Sequence, residues 1–300
     1  MICNIKEHNY QFDCNIRDNS KIRQDFFRLA RETFDLDFEP WYCNGYWGDN
    51  YIPHVLLDGD LVVANISVNK INTCWQGQRK TYLQLGTVMT DSRYRNKGLS
   101  GWLMNTVLNL WKEQCDCIYL FANDSVLNFY PKYGFIEAKE YQHHIPTTLL
   151  PVKMEGKVRK LHMSKKEDIN LLLCKYQQSN PYSALPMEHN IGLLMFYCSS
   201  FLRENVYYLE AYDSIAILEY DNDTLLCYDI FGDGTHPMEE LLSAITLEKT
   251  LIIKLGFTPK QGDPYQVTPL IEEDTTLFVL HGKENIFDNH QVMLPLLSHA

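Results

Sequence analysis

The sequence predicts an α/β chain, with mixed sheets, made of two similar units, and three observations predict it. Between Tyr82 and Trp111 a strand pattern turns into a helix pattern. Tyr82, Leu83, Leu85, Thr87 and Val88 are apolar or β-branched, whereas Leu99, Trp102, Leu103, Thr106, Val107, Leu110 and Trp111 recur at three- and four-residue steps. Near the midpoint, Pro146-Thr-Thr-Leu-Leu-Pro151 punctuates the chain as a linker would. Strand and helix patterns then begin again in a similar order. A chain of 300 residues is long enough for two ordinary domains, which we place at 1–146 and 147–300.

Residues 19–34 read as the first helix, with Phe26, Phe27, Leu29, Ala30 and Phe34 on its apolar face. From Asp35 to Pro53 the chain is irregular, with Trp41, Tyr42, Tyr46, Trp47 and Tyr51 among turn residues and acids. These aromatics either pin the segment onto the core or wall a pocket in which Asp35, Asp37 or Glu39 attracts an ammonium group. His54 to Val68 reads as two strand runs around Asp58-Gly59, a hairpin signal. A third run, Tyr82 to Met89, follows a connection containing Gln76-Gly77. The loop after it carries Arg93, Arg95 and Lys97 and ends at Gly98. A basic loop at a helix start either caps the helix or binds an anion on the free first-turn N–H groups. Cys117–Ala122 reads as a buried strand, Asn123–Gly134 as a short helix closed by a left-handed Gly134, and Ile136–Ile145 as a final strand. His143 and His144 face opposite sides of that strand and read as surface or satisfied core histidines.

After the linker, Ser164-Lys-Lys-Glu167 is a capping-box pattern ahead of a helix, and Ile191–Leu202 a second helical run. Strand runs follow at Val206–Tyr212, Ile215–Tyr220, Thr224–Phe231, Leu251–Leu255 and Thr276–Leu280, with a helix over Pro237–Ile245.

Composition bounds the function. A formal net charge of −11 opposes a nucleic-acid partner and favours approach of a cationic amine. No apolar run reaches a membrane span, and Met1-Ile-Cys-Asn-Ile-Lys6 lacks the core of a signal peptide. Nine cysteines without a C-x-x-C pair predict reduced thiols, a cytoplasmic protein and no metal.

Two blocks carry a family resemblance. Arg95-Asn-Lys-Gly98-Leu-Ser100 resembles the R/Q-x-x-G-x-G/A signature of the GNAT acyltransferase superfamily, departing from it at Ser100. Asn123-Asp-Ser-Val-Leu-Asn-Phe-Tyr130-Pro-Lys-Tyr-Gly134-Phe135 resembles the family's N-x-x-A-x-x-hydrophobic-Tyr-x-x-x-Gly-Phe block, with Val126 in the Ala slot. The resemblance covers roughly the first half of the chain and implies the GNAT fold there. It implies that strands Tyr82–Met89 and Cys117–Ala122 splay apart to admit acetyl-coenzyme A. The pyrophosphate would rest on Arg95, Asn96, Lys97, Gly98, Leu99 and Ser100. The backbone of Val88, Met89 and Thr90 would meet the pantetheine arm and thioester, and Asn123 the arm. Tyr130 would protonate the departing thiolate. The acceptor pocket would border the segment holding Glu39, Trp41 and Trp47. For the base, Glu137, Asp91, the acids of that segment, a water relay and the carboxylate of the tail Met293–Ala300 are all open, the last by likeness to two-domain aminoglycoside-acetylating GNATs.

The second half repeats the order without the chemistry. Phe231-Gly-Asp-Gly-Thr-His-Pro237 sets Asp233 where a phosphate would lie and supplies no Arg or Lys, so 147–300 reads as a degenerate, non-catalytic GNAT-like domain. The resemblance thus implies an N-acetyltransferase that moves an acetyl group from acetyl-coenzyme A directly to a primary amine of a small substrate. The alternative is a non-catalytic module that binds the coenzyme or a partner.

Overall fold

The first hairpin lies where the sequence pattern gives no warning. In the computed structural model, which describes residues 1–153 and 156–300, β1 (Ile2–Ile5) and β2 (His8–Asp13) pair antiparallel. Their two-residue turn is Lys6-Glu7, both at positive φ (48° and 66°). That turn geometry normally calls for Asn or Gly, so its usual signature is missing. Helix α1 (Ser20–Phe34) follows, its N-terminus closed by the Asn19 side chain accepting from Ile22 N–H. It buries Phe26, Phe27, Leu29 and Ala30, while Phe34 stays exposed. The segment expected to be irregular contains a short helix, α2 (Glu39–Cys43).

Strands β3 (Tyr51–Asp58), β4 (Leu61–Trp75) and β5 (Gln78–Thr90) form the expected meander. Helix α3 (Leu99–Trp111) then crosses over to β6 (Cys117–Ala122), which runs parallel to β5. Two 3-10 turns, Asp124–Val126 and Tyr130–Tyr133, replace the expected short helix, and Gly134 closes the second at φ 86°.

The run expected as one strand, Ile136–Ile145, is two strands in two sheets. β7 (Phe135–Glu137) is at an edge of the first sheet, and β8 (Tyr141–Pro146) enters the second. The second half supplies β9 (Val158–Lys160), α4 (Lys166–Tyr176), α5 (Ile191–Cys198), β10 (Val206–Leu209), β11 (Ser214–Asp221) and β12 (Thr224–Phe231). It continues with α6 (Met238–Ile245), β13 (Ile252–Leu255), β14 (Gln266–Pro269) and β15 (Thr276–Leu280). The capping box does not form: the N-cap of α4 is Lys165, without a side-chain bond.

The first sheet has the order β1-β2-β3-β4-β5-β6-β15-β7, and the second β14-β8-β13-β12-β11-β10-β9. β15 therefore leaves the second half of the chain and inserts between β6 and β7 of the first sheet. The sheets do not divide at residue 146: β8 lies before it and β15 after it, each in the other unit's sheet. Tyr82, Tyr119 and Val279 from the first sheet share one buried cluster with Ile215, Ile217 and Phe231 from the second. Leu294 and Leu297 of the tail belong to the same cluster, which places the chain's last residues between the sheets.

Candidate active site

β5 and β6 pair only at Tyr82–Cys117, Leu83–Ile118 and Gln84–Tyr119, and then diverge. On its other side β5 carries a bulge. Its partners in β4 jump from Ser67–Gly86 to Asn65–Met89, leaving Thr87 and Val88 opposite Ile66 alone. Thr87 sits at φ 42°, a strained value for a β-branched residue. A buried polar network holds it there. Asn65 Nδ2 donates to the Thr87 carbonyl (2.8 Å) and to Ser67 Oγ (2.9 Å), Ser67 Oγ donates to Tyr51 Oη (3.0 Å), and Tyr51 Oη bonds Thr87 Oγ1 (2.8 Å). The main chain at Thr87–Val88 is thereby turned out of the ladder and towards the gap.

The gap opens into a cleft of about 650 Å³. Val88, Thr90, Arg95, Ser100, Asn123 and Tyr130, all singled out in the sequence, line it. Gly98 is the N-cap of α3 at φ 85°, and Asn96 is also left-handed at φ 64°. These two turns set the N-terminus of α3 at the cleft rim, where an anion is favoured. Ser100, the position that departs from the family pattern, bonds Thr90 through the two hydroxyls (2.7 Å) and so ties the helix start to the end of β5. Gly101 is required by packing: a Cβ there would lie 2.6 Å from Tyr133 Oη. The two sequence blocks thus touch each other.

Three predicted cofactor residues, expected to act through their main chain, have side chains turned away from the cleft. Met89 and Leu99 point into the core, each 1% exposed. The Lys97 ammonium stands 4.2 Å from the centroid of the Tyr94 ring. Arg93 is held by Asp91 through two side-chain bonds (2.7 and 3.0 Å), which leaves Arg95 as the arginine that lines the cleft. The Asn123 amide is engaged by Asp274, donating to its carboxylate (2.9 Å) and its carbonyl (3.2 Å).

Tyr130 is buried among Phe129, Phe135 and Phe278. Its hydroxyl has no hydrogen-bond partner among the described residues. Burial disfavours the phenolate and pushes its pKa up to about 12.

Of the candidate bases, Asp91 is excluded by its environment. The Arg93 side chain, with Arg28 behind it, holds its carboxyl down to about 2, so it stays a paired anion. Glu137 is exposed on β7, and the residues lining the cleft do not include it. Glu39 is exposed and accepts a bond from Gln24, and Asp37 is paired with Arg31. The tail does arrive. The His299 carbonyl accepts from Tyr197 Oη (2.7 Å), the His299 ring lies 4.0 Å from that of Phe121, and Gln84 Nε2 donates to the Ala300 carbonyl (3.0 Å). Gly86 is glycine because any Cβ would collide with that carbonyl oxygen.

Behind Thr87 lies a second, partly enclosed cavity of about 60 Å³, which shares Leu36, Thr87 and Ala300 with the cleft. Trp41 is in its wall and donates its indole N–H to the Gly192 carbonyl (2.7 Å). Trp47 stands one layer further back, stacked on Trp41 at 5.8 Å. Sequence reasoning named Tyr51 among the aromatics that could wall a pocket but missed Asn65, Ser67, Asn69, Gln84 and Phe196. A signal was present for part of this set: Asn65, Ser67 and Asn69 alternate within an otherwise apolar strand, marking a polar stripe on one face.

No group of three or more His, Cys, Asp or Glu side chains is placed to hold a metal among the described residues, and no helix there is long and apolar enough to cross a membrane.

Residues 17–135 match the model of the acetyltransferase (GNAT) family. No curated protein matches the chain. Among solved structures, a conserved protein from Enterococcus faecalis described as a probable N-acyltransferase superposes with a TM-score of 0.60 at 14% identity, over 90% of this chain and 71% of the other. A GCN5-related N-acetyltransferase from Kribbella flavida gives 0.54 at 14% identity, over 90% and 71%. Eis1 from Mycobacterium abscessus gives 0.56 at 12% identity, over 89% and 72%. At these identities the likeness is one of fold.

Proposed function

Because residues 17–135 match the model of the acetyltransferase (GNAT) family, we propose that the protein transfers an acetyl group from acetyl-coenzyme A to the primary amine of a small molecule. The observation that carries the reading is that Tyr130, the Thr87–Val88 bulge and Arg95 line one cleft at the point where β5 and β6 part. The residues present fit the co-substrate. The α3 N-terminus, left-handed Gly98 and Arg95 form an anion cradle, and the unpaired main chain of β5 offers hydrogen bonds to an amide-bearing arm. The acetyl donor supplies an activated thioester.

The chain's part in the chemistry is then to orient, polarise and move protons. Main-chain N–H groups of the bulge polarise the thioester carbonyl as the amine nitrogen attacks its carbon. The carbon–sulfur bond breaks, and Tyr130, neutral at physiological pH, donates its proton to the departing sulfur. The attacking amine must lose one proton. In a chain that ends at residue 300, the carboxylate of Ala300 stands beside Gly86 to accept it. The second half of the chain, on this reading, has no coenzyme site of its own and delivers β15, Phe196 and the tail to the first sheet's site.

A rival reading, a module that binds the coenzyme without turnover, draws on the engagement of Asn123 by Asp274 and of Arg93 by Asp91. Thiol release from acetyl-coenzyme A, measured across a panel of small amines, separates the two. Amine-dependent release that Tyr130→Phe abolishes supports transfer. Tight coenzyme binding with no release across the panel supports the rival.

A further inference from the structure

The hairpin that the sequence pattern hides reaches the candidate phosphate loop. Its first strand, β1, is the edge of the first sheet, outside β2. Ile5 and Leu99, the first residue of α3, belong to one buried cluster, so the hairpin is packed against the start of that helix. The turn Lys6-Glu7 then folds over the loop that precedes the helix. A Cβ on Gly98 would stand 3.5 Å from Lys6 Cε and 3.9 Å from Ile5 Cγ2. Two consecutive side-chain-bearing residues at positive φ are costly to hold, and here they carry Lys6 across to the loop.

The Lys6 ammonium donates to the Asn96 carbonyl (3.1 Å). Among the described residues, no other side chain bonds the main chain of Arg95–Gly98. Asn96 is itself left-handed at φ 64°, two residues before left-handed Gly98. In a trans peptide the carbonyl of one residue and the N–H of the next point in opposite directions. Fixing the Asn96 carbonyl on Lys6 therefore aims the Lys97 N–H away from the hairpin, towards the open side of the loop. The loop's own cations are engaged elsewhere. Arg93 is paired with Asp91, Lys97 stands over the Tyr94 ring, and Arg95 lines the cleft.

Resting on the coenzyme site of the proposed function, we infer that Lys6 is a positioning residue for the diphosphate, and that the β1–β2 hairpin is a clasp holding the phosphate loop in its anion-binding shape. The N–H groups of the loop then converge before the ligand arrives, and binding is spared the cost of ordering them. Lys6 lies 90 residues from Asn96 in the chain. The Arg95–Ser100 block therefore does not contain everything that shapes the site.

Calorimetry on the full chain, with coenzyme A and dephospho-coenzyme A as ligands, tests this without turnover. Both ligands carry the diphosphate, and only the first carries the additional ribose phosphate. Lys6→Met should weaken both equally, by about threefold to tenfold, less than a buried bond to a charged group because this one is exposed. The loss should persist at high salt, which screens distant charge but leaves the shape of the loop alone. Lys6→Arg keeps the donor and should stay within about twofold of the parent. The melting transition of the free protein should move in neither variant. Unchanged binding in Lys6→Met would overturn the inference. So would a loss confined to coenzyme A, which would make Lys6 a contact of the ribose phosphate, or a loss that high salt erases, which would make it a distant charge. A lowered melting transition would reduce Lys6 to a structural role and equally overturn it. A parent chain that binds neither ligand would overturn the coenzyme site itself. Coenzyme binding that depends on Lys6, without any acetyl transfer, would overturn only the catalytic reading.

Discussion

The two sheets of this protein part at corresponding places, and only one of the gaps is open. In the first, β5 and β6 pair for three residues and separate, with a bulge at Thr87–Val88. In the second, β12 and β13 pair in parallel from Thr224–Ile252 to Cys227–Leu255, and β12 has its own bulge, at Tyr228 between Leu218–Cys227 and Ile217–Asp229. Beyond that point the second gap is shut. Gly256 N–H donates to the Cys227 carbonyl (2.7 Å), and Leu296 of the tail donates to the Gly256 carbonyl (2.8 Å). The following loop bonds Asp233 to Thr235 instead of presenting a cation, and buried Asp229 is held by Asn180. The same strand order and the same kind of bulge therefore do not make a site. In the function proposed above, a phenol, an arginine and a helix start arranged around unblocked main chain are what make one.

The sharpest way to break this comparison is to remove the phenol. Tyr130→Phe should lower kcat by roughly a hundredfold to ten-thousandfold, the range for losing a positioned acid, with acetyl-coenzyme A affinity unchanged. Arg95→Gln should weaken acetyl-coenzyme A binding by about tenfold or more, as loss of a bond to a charged group does, read by calorimetry at two salt concentrations. Arg93→Gln, whose guanidinium is spent on Asp91, should weaken it far less. In the closed gap the expected losses are of stability. At Gly256 a Cβ would meet Tyr228 Cα at 2.8 Å, so Gly256→Ala should cost about 1–3 kcal/mol in denaturant unfolding. Its activity per folded molecule should be retained.

The smallest effect on activity is expected from a buried acid that makes stability depend on pH. Burial raises Asp229 from its ordinary range to about 7. Below about pH 4 both folded and unfolded chains keep its proton. Between about pH 4 and 7 only the folded chain keeps it, so stability falls as pH rises through that window and is flat above it. Asp229→Asn removes the slope. The variant should gain on the order of 4 kcal/mol relative to the parent on going from pH 4 to pH 8, read by urea unfolding, with kcat within about twofold.

What could be read from the sequence follows the range of the forces involved. The strand–loop–helix at Tyr82–Trp111 and the block ending at Gly134-Phe135 are set by local periodicity and by a left-handed glycine, and both were legible. Partnership of strands was not. Thr276–Leu280 reads as a strand whichever sheet it joins, and nothing local tells that it pairs with β6 and β7 while Tyr141–Pro146 departs to the second sheet. The hairpin at Lys6-Glu7 was hidden because its left-handed turn uses residues that do not advertise one. At the site, Tyr130 and Arg95 carried motif signals. Asn69, Gln84 and Phe196 acquire meaning only when the tail and α5 arrive from more than a hundred residues away.

The most direct test is a crystal structure with coenzyme A bound. The account predicts the diphosphate at Arg95–Ser100, the arm along Val88–Thr90 and the sulfur within hydrogen-bond reach of Tyr130 Oη. Coenzyme A lodged instead against the loop Phe231–Pro237, or with its sulfur facing away from Tyr130, would contradict it.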